Sequence, residues 1–126
     1  MSYAARYVQS AAQTATRERT MLMLFDKAVA CMRSGTAALG ERRYAQANKD
    51  LSKALDIVAH LHGTLNRPVS PELCDNLADL YLFVCLRLGE AKLMRNPALA
   101  REAEQVFAPV AQAFTKAVES LPKEAR

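Results

Sequence analysis

The chain predicts an all-α fold, an antiparallel four-helix bundle with a short N-terminal arm or helix, and three observations carry that prediction. Composition is biased toward Ala, Leu, Lys, Arg and Glu, with only four Gly and five Pro in 126 residues, which favours helix over strand. Apolar residues recur at spacings of three and four in long stretches, the period of a helix face. Turn and cap residues fall between those stretches and nowhere divide them into strand-length pieces. At 51% hydrophobic and 24% charged residues, a chain of this length builds one core and is expected to be a single domain over residues 1–126.

Residues 1–15 hold one charge and two tyrosines among Ser, Thr, Gln and Ala, a weak helical pattern, and are expected to form a mobile N-terminal arm. Thr14 or Thr16 is placed to cap the first long helix, over about 17–40. There Leu22, Phe25, Val29 and Met32 make one apolar stripe and Met21, Leu24, Ala28 and Cys31 a second beside it. That exceeds the single arc of about 100° that a one-sided surface helix needs, so the surplus must meet several helices or a partner. Gly35, among Ser34, Thr36, Ala37 and Ala38, makes the second half slim enough for close approach of another helix, and Gly40 is expected to end it.

The next helix, about 42–66, repeats Tyr44, Ala47, Leu51, Ala54, Val58, Leu61 and Leu65 along one seam. Asn66-Arg67-Pro68-Val69-Ser70-Pro71 breaks it. Ser70 as cap, Pro71 at the first helical position and Glu72 in the first turn then start a third helix over about 71–95. Its seven consecutive apolar residues, Leu80 to Leu86, leave little polar face and mark it as the expected central helix. Asn96-Pro97 opens the last helix, about 97–121, lined by Leu99, Ala103, Val106, Val110, Phe114 and Leu121, with a kink expected at Pro109.

Charge and cysteines narrow the function classes. The net charge of +4 comes from interspersed residues with no basic block, so nucleic acid is not an expected partner. Cys31, Cys74 and Cys85 sit in apolar runs. Cys74 and Cys85 lie roughly 16 Å apart along a helix, beyond disulfide reach, so reduced buried thiols and a cytoplasmic setting are expected. No stretch is long enough to insert in a membrane. His60-Leu61-His62-Gly63 invites comparison with histidine phosphotransfer bundles, which carry His-x-x-Lys-Gly. Here the glycine comes one residue early and the lysine is missing. The two histidines point apart on a helix, which disfavours a shared metal, and no nucleophile-base set or carboxylate cluster stands out. No enzyme, cofactor or metal site is expected. Met21, Met23, Met32 and Met94 serve either as core filler or as an adaptable binding surface.

From Tyr7 to about Ser120 the chain resembles the flagellin export chaperone family (FliS-type). Tyr7-Val8-Gln9-Ser10 with Thr14-Ala15-Thr16 is similar to that family's tyrosine arm and helix entry, and Leu22-Met23-Leu24-Phe25-Asp26 to its Leu-Met-Leu-Tyr-Asp signature. Leu51 to Val58 resembles its Lys-Ala-x-x-Ile-Ile helix and Leu65-Asn66 the pair that closes it. Asn76-Leu77-Ala78-Asp79-Leu80-Tyr81 and Leu88-Gly89-Glu90-Ala91 are similar to later family elements. Arg17 and Arg19 depart from the family by replacing Pro and Glu, which removes a capping box. Phe25 replaces a tyrosine, Lys92 an asparagine and Phe114 a tryptophan.

The resemblance implies a cytoplasmic type III export chaperone of the bacterial cytosol. It would hold the disordered C-terminal segment of flagellin, prevent premature polymerisation and pass it to the export apparatus, the client ordering as it binds. On that reading Leu22, Leu24, Phe25, Leu61, Leu65, Leu80 and Tyr81 form the groove or the core supporting it. Asn66 satisfies client or loop backbone, and the arm around Tyr7 folds over the empty groove. The expected partners are the flagellin C-terminal segment, with the export gate and other cytoplasmic flagellar factors as further candidates. The chain itself is expected as a monomer or weak homodimer. A phosphotransfer-like bundle and a purely structural homodimeric bundle are the alternatives.

Overall fold

A computed structural model describes residues 2–11, 17–66 and 68–121. Five helices follow in order: α1 (Tyr3–Ala11), α2 (Arg17–Gly40), α3 (Tyr44–Gly63), α4 (Pro71–Met94) and α5 (Pro97–Glu119). Connections of three residues between α2 and α3, seven between α3 and α4 and two between α4 and α5 are too short for anything but antiparallel neighbours. The main packing pairs are α2 with α3, α3 with α4, α4 with α5, and α5 back onto α2. The four long helices therefore form an antiparallel bundle, as the sequence predicted; within it they stand as a ring, with α1 laid against α2 and α3.

The helix starts follow local chemistry. Asn96 caps α5, its side-chain oxygen accepting from the Ala98 N–H at 2.9 Å, and Pro97 follows at the first helical position, where its missing donor is not needed. Pro71 and Glu72 open α4 as expected, but the Ser70 side chain makes no capping bond. The caps expected of Thr14 and Thr16 lie outside the described residues. α5 runs through Pro109 without a break. Pro109 faces solvent, where water can satisfy the Gln105 carbonyl released by the missing N–H.

Two chain reversals use arginine where glycine was expected. Gly40 is simply the last residue of α2, and the left-handed residue is Arg42, at φ 59°. Arg95, at φ 52°, does the same after α4. In each reversal the following N–H reaches back five residues, Arg43 to Ala38 at 2.8 Å and Asn96 to Ala91 at 3.2 Å. These are the six-to-one bonds that satisfy a helix's last carbonyls, and a cation there suits the negative end of the helix dipole. α3 stops at Gly63, earlier than the expected 66, because the Thr64 hydroxyl donates to the Leu61 carbonyl at 2.9 Å and turns the chain out. Leu65 and Asn66 thus follow the helix rather than closing it.

Residues Tyr3–Ala11, where a mobile arm was expected, are helical and docked. The Asp56 carboxylate on α3 accepts from the Ala4 N–H at 2.7 Å, placing a negative charge at the positive end of α1. The Lys53 ammonium lies 5.1 Å above the Tyr3 ring, and Ala4 is fully buried. α1 therefore accounts for part of the surplus apolar surface of α2.

The core runs through an aromatic string. Phe107 is fully buried, with the Phe25 ring 5.6 Å away and the Tyr81 ring 6.3 Å away. Phe114 also stacks on Phe25, at 4.8 Å. α2, α4 and α5 are joined by these rings, within the range where aromatic pairs add to simple burial. Between helices, Arg33 pairs with Glu104 at 3.0 Å and Arg87 with Glu102 at 2.9 Å.

The expectation of a central α4 is corrected by the ring. α2, flanked by three helices, has nine buried residues, whereas α4 of equal length has six. In a ring of four rods each has an outward side. On α4 the outward side is apolar.

Candidate binding groove

Along α3, Asn48, Ser52, Leu55, Ala59 and His62 step by four, three, four and three, so they share one face. Along α4, Leu82, Cys85, Gly89 and Lys92 do the same. The helices are antiparallel, so Ala59 and His62 meet the Leu82–Cys85 end and Asn48 meets the Lys92 end. Ser52, Ala59, Cys85 and Gly89 are small, and the seam between the helices is left as a groove.

Among the described residues two clefts open in it. The first, about 170 Å³, is lined by Ala59, His62, Tyr81, Leu82 and Cys85 and is mainly apolar. Burial pushes the Tyr81 hydroxyl up to about 12 and raises the Cys85 thiol, so both groups are neutral at physiological pH. The second, about 280 Å³, is lined by Leu39, Tyr44, Ala45, Asn48, Leu51, Lys92 and Arg95. Its floor is apolar and its rim is basic.

The rim on the α4 side is unusually greasy. Leu82 is 54% exposed, Leu86 59% and Leu93 85%, with Phe83 and Met94 beside them. Isolated exposed leucines need no explanation, but an apolar row along one helix face, next to an apolar cleft, marks an interaction surface. A further cleft, about 360 Å³, lies between α2 and α5, lined by Asp26, Val29, Ala30, Arg33, Ala108, Ala111, Gln112 and Thr115. It is more polar than the first cleft and lacks a comparable row of large apolar side chains.

Gly89 gives the groove a clean experimental handle. A Cβ at this position would meet nothing within 4 Å, and its backbone is not left-handed. Gly89→Ala should therefore remove only the helix penalty of glycine and raise stability by about 0.5–1 kcal/mol, measured by urea unfolding. A loss of stability would show that the space above Gly89 is not open.

The residues singled out from the sequence are distributed unevenly around this geometry. Leu24, Phe25, Leu61 and Tyr81 are buried, Leu22, Leu65 and Leu80 are half-buried, and Asn66 is exposed. Tyr7 lies within α1, its side chain outside the described residues. Of the set, Tyr81 lines an open cleft, while Leu24, Phe25 and Leu61 belong to the core beneath. Leu82, Cys85, Leu86, Gly89, Leu93, Asn48, Lys92 and Arg95 were not singled out. The signal was the run from Leu80 to Leu86, since seven consecutive residues span nearly two helical turns and cannot all face one core.

His60 is half-buried and His62 sits at the cleft's edge. Among the described residues no group of three or more His, Cys, Asp or Glu side chains is arranged to hold a metal ion. No helix among them is long and apolar enough to cross a membrane. All three cysteines are free, Cys31 and Cys74 buried and Cys85 half-buried.

Comparison with known proteins gives a consistent result. The family model described as "Flagellar protein FliS" matches residues 1–121. The flagellar secretion chaperone FliS of Escherichia coli (strain K12) is 27% identical over 118 residues, covering 93% of this chain and 87% of that protein. The Bacillus subtilis (strain 168) protein of the same name is also 27% identical over 118 residues, covering 94% and 87%. Its Salmonella typhimurium counterpart is 28% identical over 114 residues, covering 90% and 84%. A solved structure entitled "Crystal structure of flagellar chaperone from bacteria" superposes with a TM-score of 0.73 at 20% identity, covering 93% of this chain and 95% of the other, which establishes likeness of fold.

Proposed function

This chain belongs to the FliS family of flagellar secretion chaperones, and from that membership we propose that it holds the C-terminal segment of flagellin in the bacterial cytosol before export. It does so as a binding protein without catalytic chemistry. The single observation that carries the choice of surface is the exposed row Leu82, Leu86 and Leu93 beside the α3–α4 groove. An amphipathic segment laid along it would bury apolar surface on both molecules, which is how helix-in-groove recognition gains its affinity. A segment that is disordered when free loses on the order of 2–5 kcal/mol in ordering, so a long apolar contact is needed rather than one small pocket.

The residues named from the family resemblance support this surface mainly from beneath. Tyr81 reaches the first cleft, while Leu24, Phe25 and Leu61 fix the helices that frame it. Leu22, Leu65, Leu80 and Asn66, which are less buried, are candidates for the edge of a larger contact area. α1, with Tyr7, packs against α3 and α2. Its release on binding would expose a second stretch of α3 to the same client. Passage to the export gate and to other flagellar factors follows binding in this reading.

The test is binding of the full chain to a fluorescently labelled synthetic peptide of the C-terminal segment of flagellin from the same bacterium. Wild-type protein should bind it one to one. The double variant Leu82→Ser, Leu86→Ser should weaken binding by about tenfold or more, since truncating central apolar anchors costs over about 1–2 kcal/mol. Its far-ultraviolet circular dichroism should be unchanged, because both side chains are exposed. Undiminished binding by a folded double variant would remove α4 from the site, and no binding by wild-type would remove flagellin as the client.

A further inference from the structure

The second cleft has a charge character that the apolar groove alone does not explain. Lys92 and Arg95 are both in its lining, and that lining contains no carboxylate. Arg33, Arg43 and Arg87 each pair with a glutamate, whereas among the described residues neither Lys92 nor Arg95 meets an acidic side chain. Arg95 is not loose, however. Its guanidinium lies 4.3 Å from the centre of the Tyr44 ring, a stacking that holds the charge at the cleft while leaving it without a counter-ion.

The backbone adds to the same field. Tyr44 and Ala45 are the first residues of α3 and form one wall. That helix start has no side-chain cap and no acidic residue in its first turn, so no side chain of that turn offsets its positive end. Asn48, a turn further along, offers an amide. Leu39 and Leu51, buried beneath, supply an apolar floor. One cation held by stacking, a second beside it, a helix N-terminus and an amide over an apolar floor suit one chemistry: a carboxylate carried next to an apolar side chain.

Resting on the reading that the groove holds an exported segment, we infer that the Tyr44–Asn48–Lys92–Arg95 cleft receives a carboxylate of that segment and thereby fixes its direction. The carboxylate is either the segment's own C-terminal group or an acidic side chain near it. A helical client carries the negative end of its dipole at its C-terminus, so that end belongs at Lys92 and Arg95. The client then runs parallel to α4 and antiparallel to α3. Lys92 is ten residues beyond Leu82, about 15 Å along a helix. The client residue that fills the first cleft therefore lies about ten residues before its anchoring carboxylate if it binds as a helix.

The experiment uses the full chain and the flagellin C-terminal peptide in three forms: free acid, C-terminal amide, and free acid with its last Asp and Glu side chains changed to Asn and Gln. Lys92→Gln and Arg95→Asn are the protein variants; Asn tolerates the left-handed backbone at position 95. Arg101→Gln, on α5, removes the same charge elsewhere and controls for long-range attraction. Each of the two cleft variants should weaken the free acid by about tenfold, the size of one lost charge-assisted hydrogen bond, and Arg101→Gln by far less. The peptide form that has lost the anchoring group should bind wild-type about tenfold more weakly and no longer distinguish wild-type from Lys92→Gln. Loss in the amide identifies the chain terminus as the source, and loss in the Asn/Gln form identifies a side chain. A nitroxide at the peptide's C-terminal end should broaden the amide signals of Ala45 and Asn48 rather than those of Ala59 and His62. Equal binding of all three peptides, or broadening at Ala59 and His62, would overturn the inference while leaving groove binding intact. Failure of every peptide to bind wild-type would overturn the underlying reading itself.

Discussion

Phe107→Ala is expected to lower the unfolding free energy by about 3–5 kcal/mol, read from urea denaturation of the isolated chain. Phe107 is completely buried and its ring is bounded by Phe25 and Tyr81. The three side chains come from three different helices, so closing the void would require α2 and α4 to move toward α5 together. A site that cannot collapse retains its cavity, and the loss then includes both the transfer of the ring and the empty volume. Domains of this kind are stable by only about 5–15 kcal/mol, so the substitution is expected to consume a large share of the total. Phe107→Leu, which keeps most of the volume, should lose much less. A change below about 1 kcal/mol for the alanine variant would mean that the aromatic string is not the centre of the core.

The functional consequence follows from the same contact. Tyr81 is both a member of that string and a wall of the first cleft. Core and groove are therefore mechanically one piece on that side. The exposed side chains proposed as client contacts, Leu82, Leu86 and Leu93, by contrast, sit on the surface of α4 and can be altered without touching the core.

The rods were legible because their boundaries are written in local chemistry. Asn96-Pro97 and Pro71-Glu72 act through groups one to three residues away, and the apolar stripe of α3 has the same period in sequence as in space. What was not legible depended on neighbours. Arg42 and Arg95 take left-handed conformations that sequence reasoning assigns to glycine, because the reversals they make are stabilised by long backbone bonds and by neighbouring packing rather than by residue preference. The apolar surplus on α2 and the apolar run on α4 look alike as patterns. Only the ring, with α1 added on one side, decides that the first is covered and the second open. The same holds for Lys92 and Arg95, which become a pair with Tyr44 and Asn48 only when the end of α4 meets the start of α3.

Gly35→Ala should have the opposite sign to Gly89→Ala, although both exchange the same residues within helices. At Gly35 an added Cβ would lie 2.5 Å from the Leu51 Cδ2 and 2.8 Å from its Cγ, well inside contact distance. Leu51 is fully buried, so it cannot turn outward, and the closest approach of α2 and α3 is further held by Asp50. That carboxylate is buried and accepts from the Ser34 hydroxyl at 2.8 Å and from the Gln46 amide at 3.0 Å. Spreading the helices to admit a methyl group would stretch the Ser34 bond across the same interface and leave a buried charge less well satisfied. Overpacking of this kind costs about 1–3 kcal/mol, occasionally more, set against a gain of up to about 1 kcal/mol in helix preference. A net loss of about 2 kcal/mol is expected once the strained Asp50 contacts are included. The loss should be measured beside Gly89→Ala in one urea series, where a stabilised Gly35→Ala would show that the two helices do not approach as closely as Leu51 requires. Leu51 also floors the basic cleft, which gives it open space to move into. Displaced by the new methyl, it would shrink the cleft, so Gly35→Ala should weaken client binding as well as stability, while Gly89→Ala leaves that end of the groove untouched.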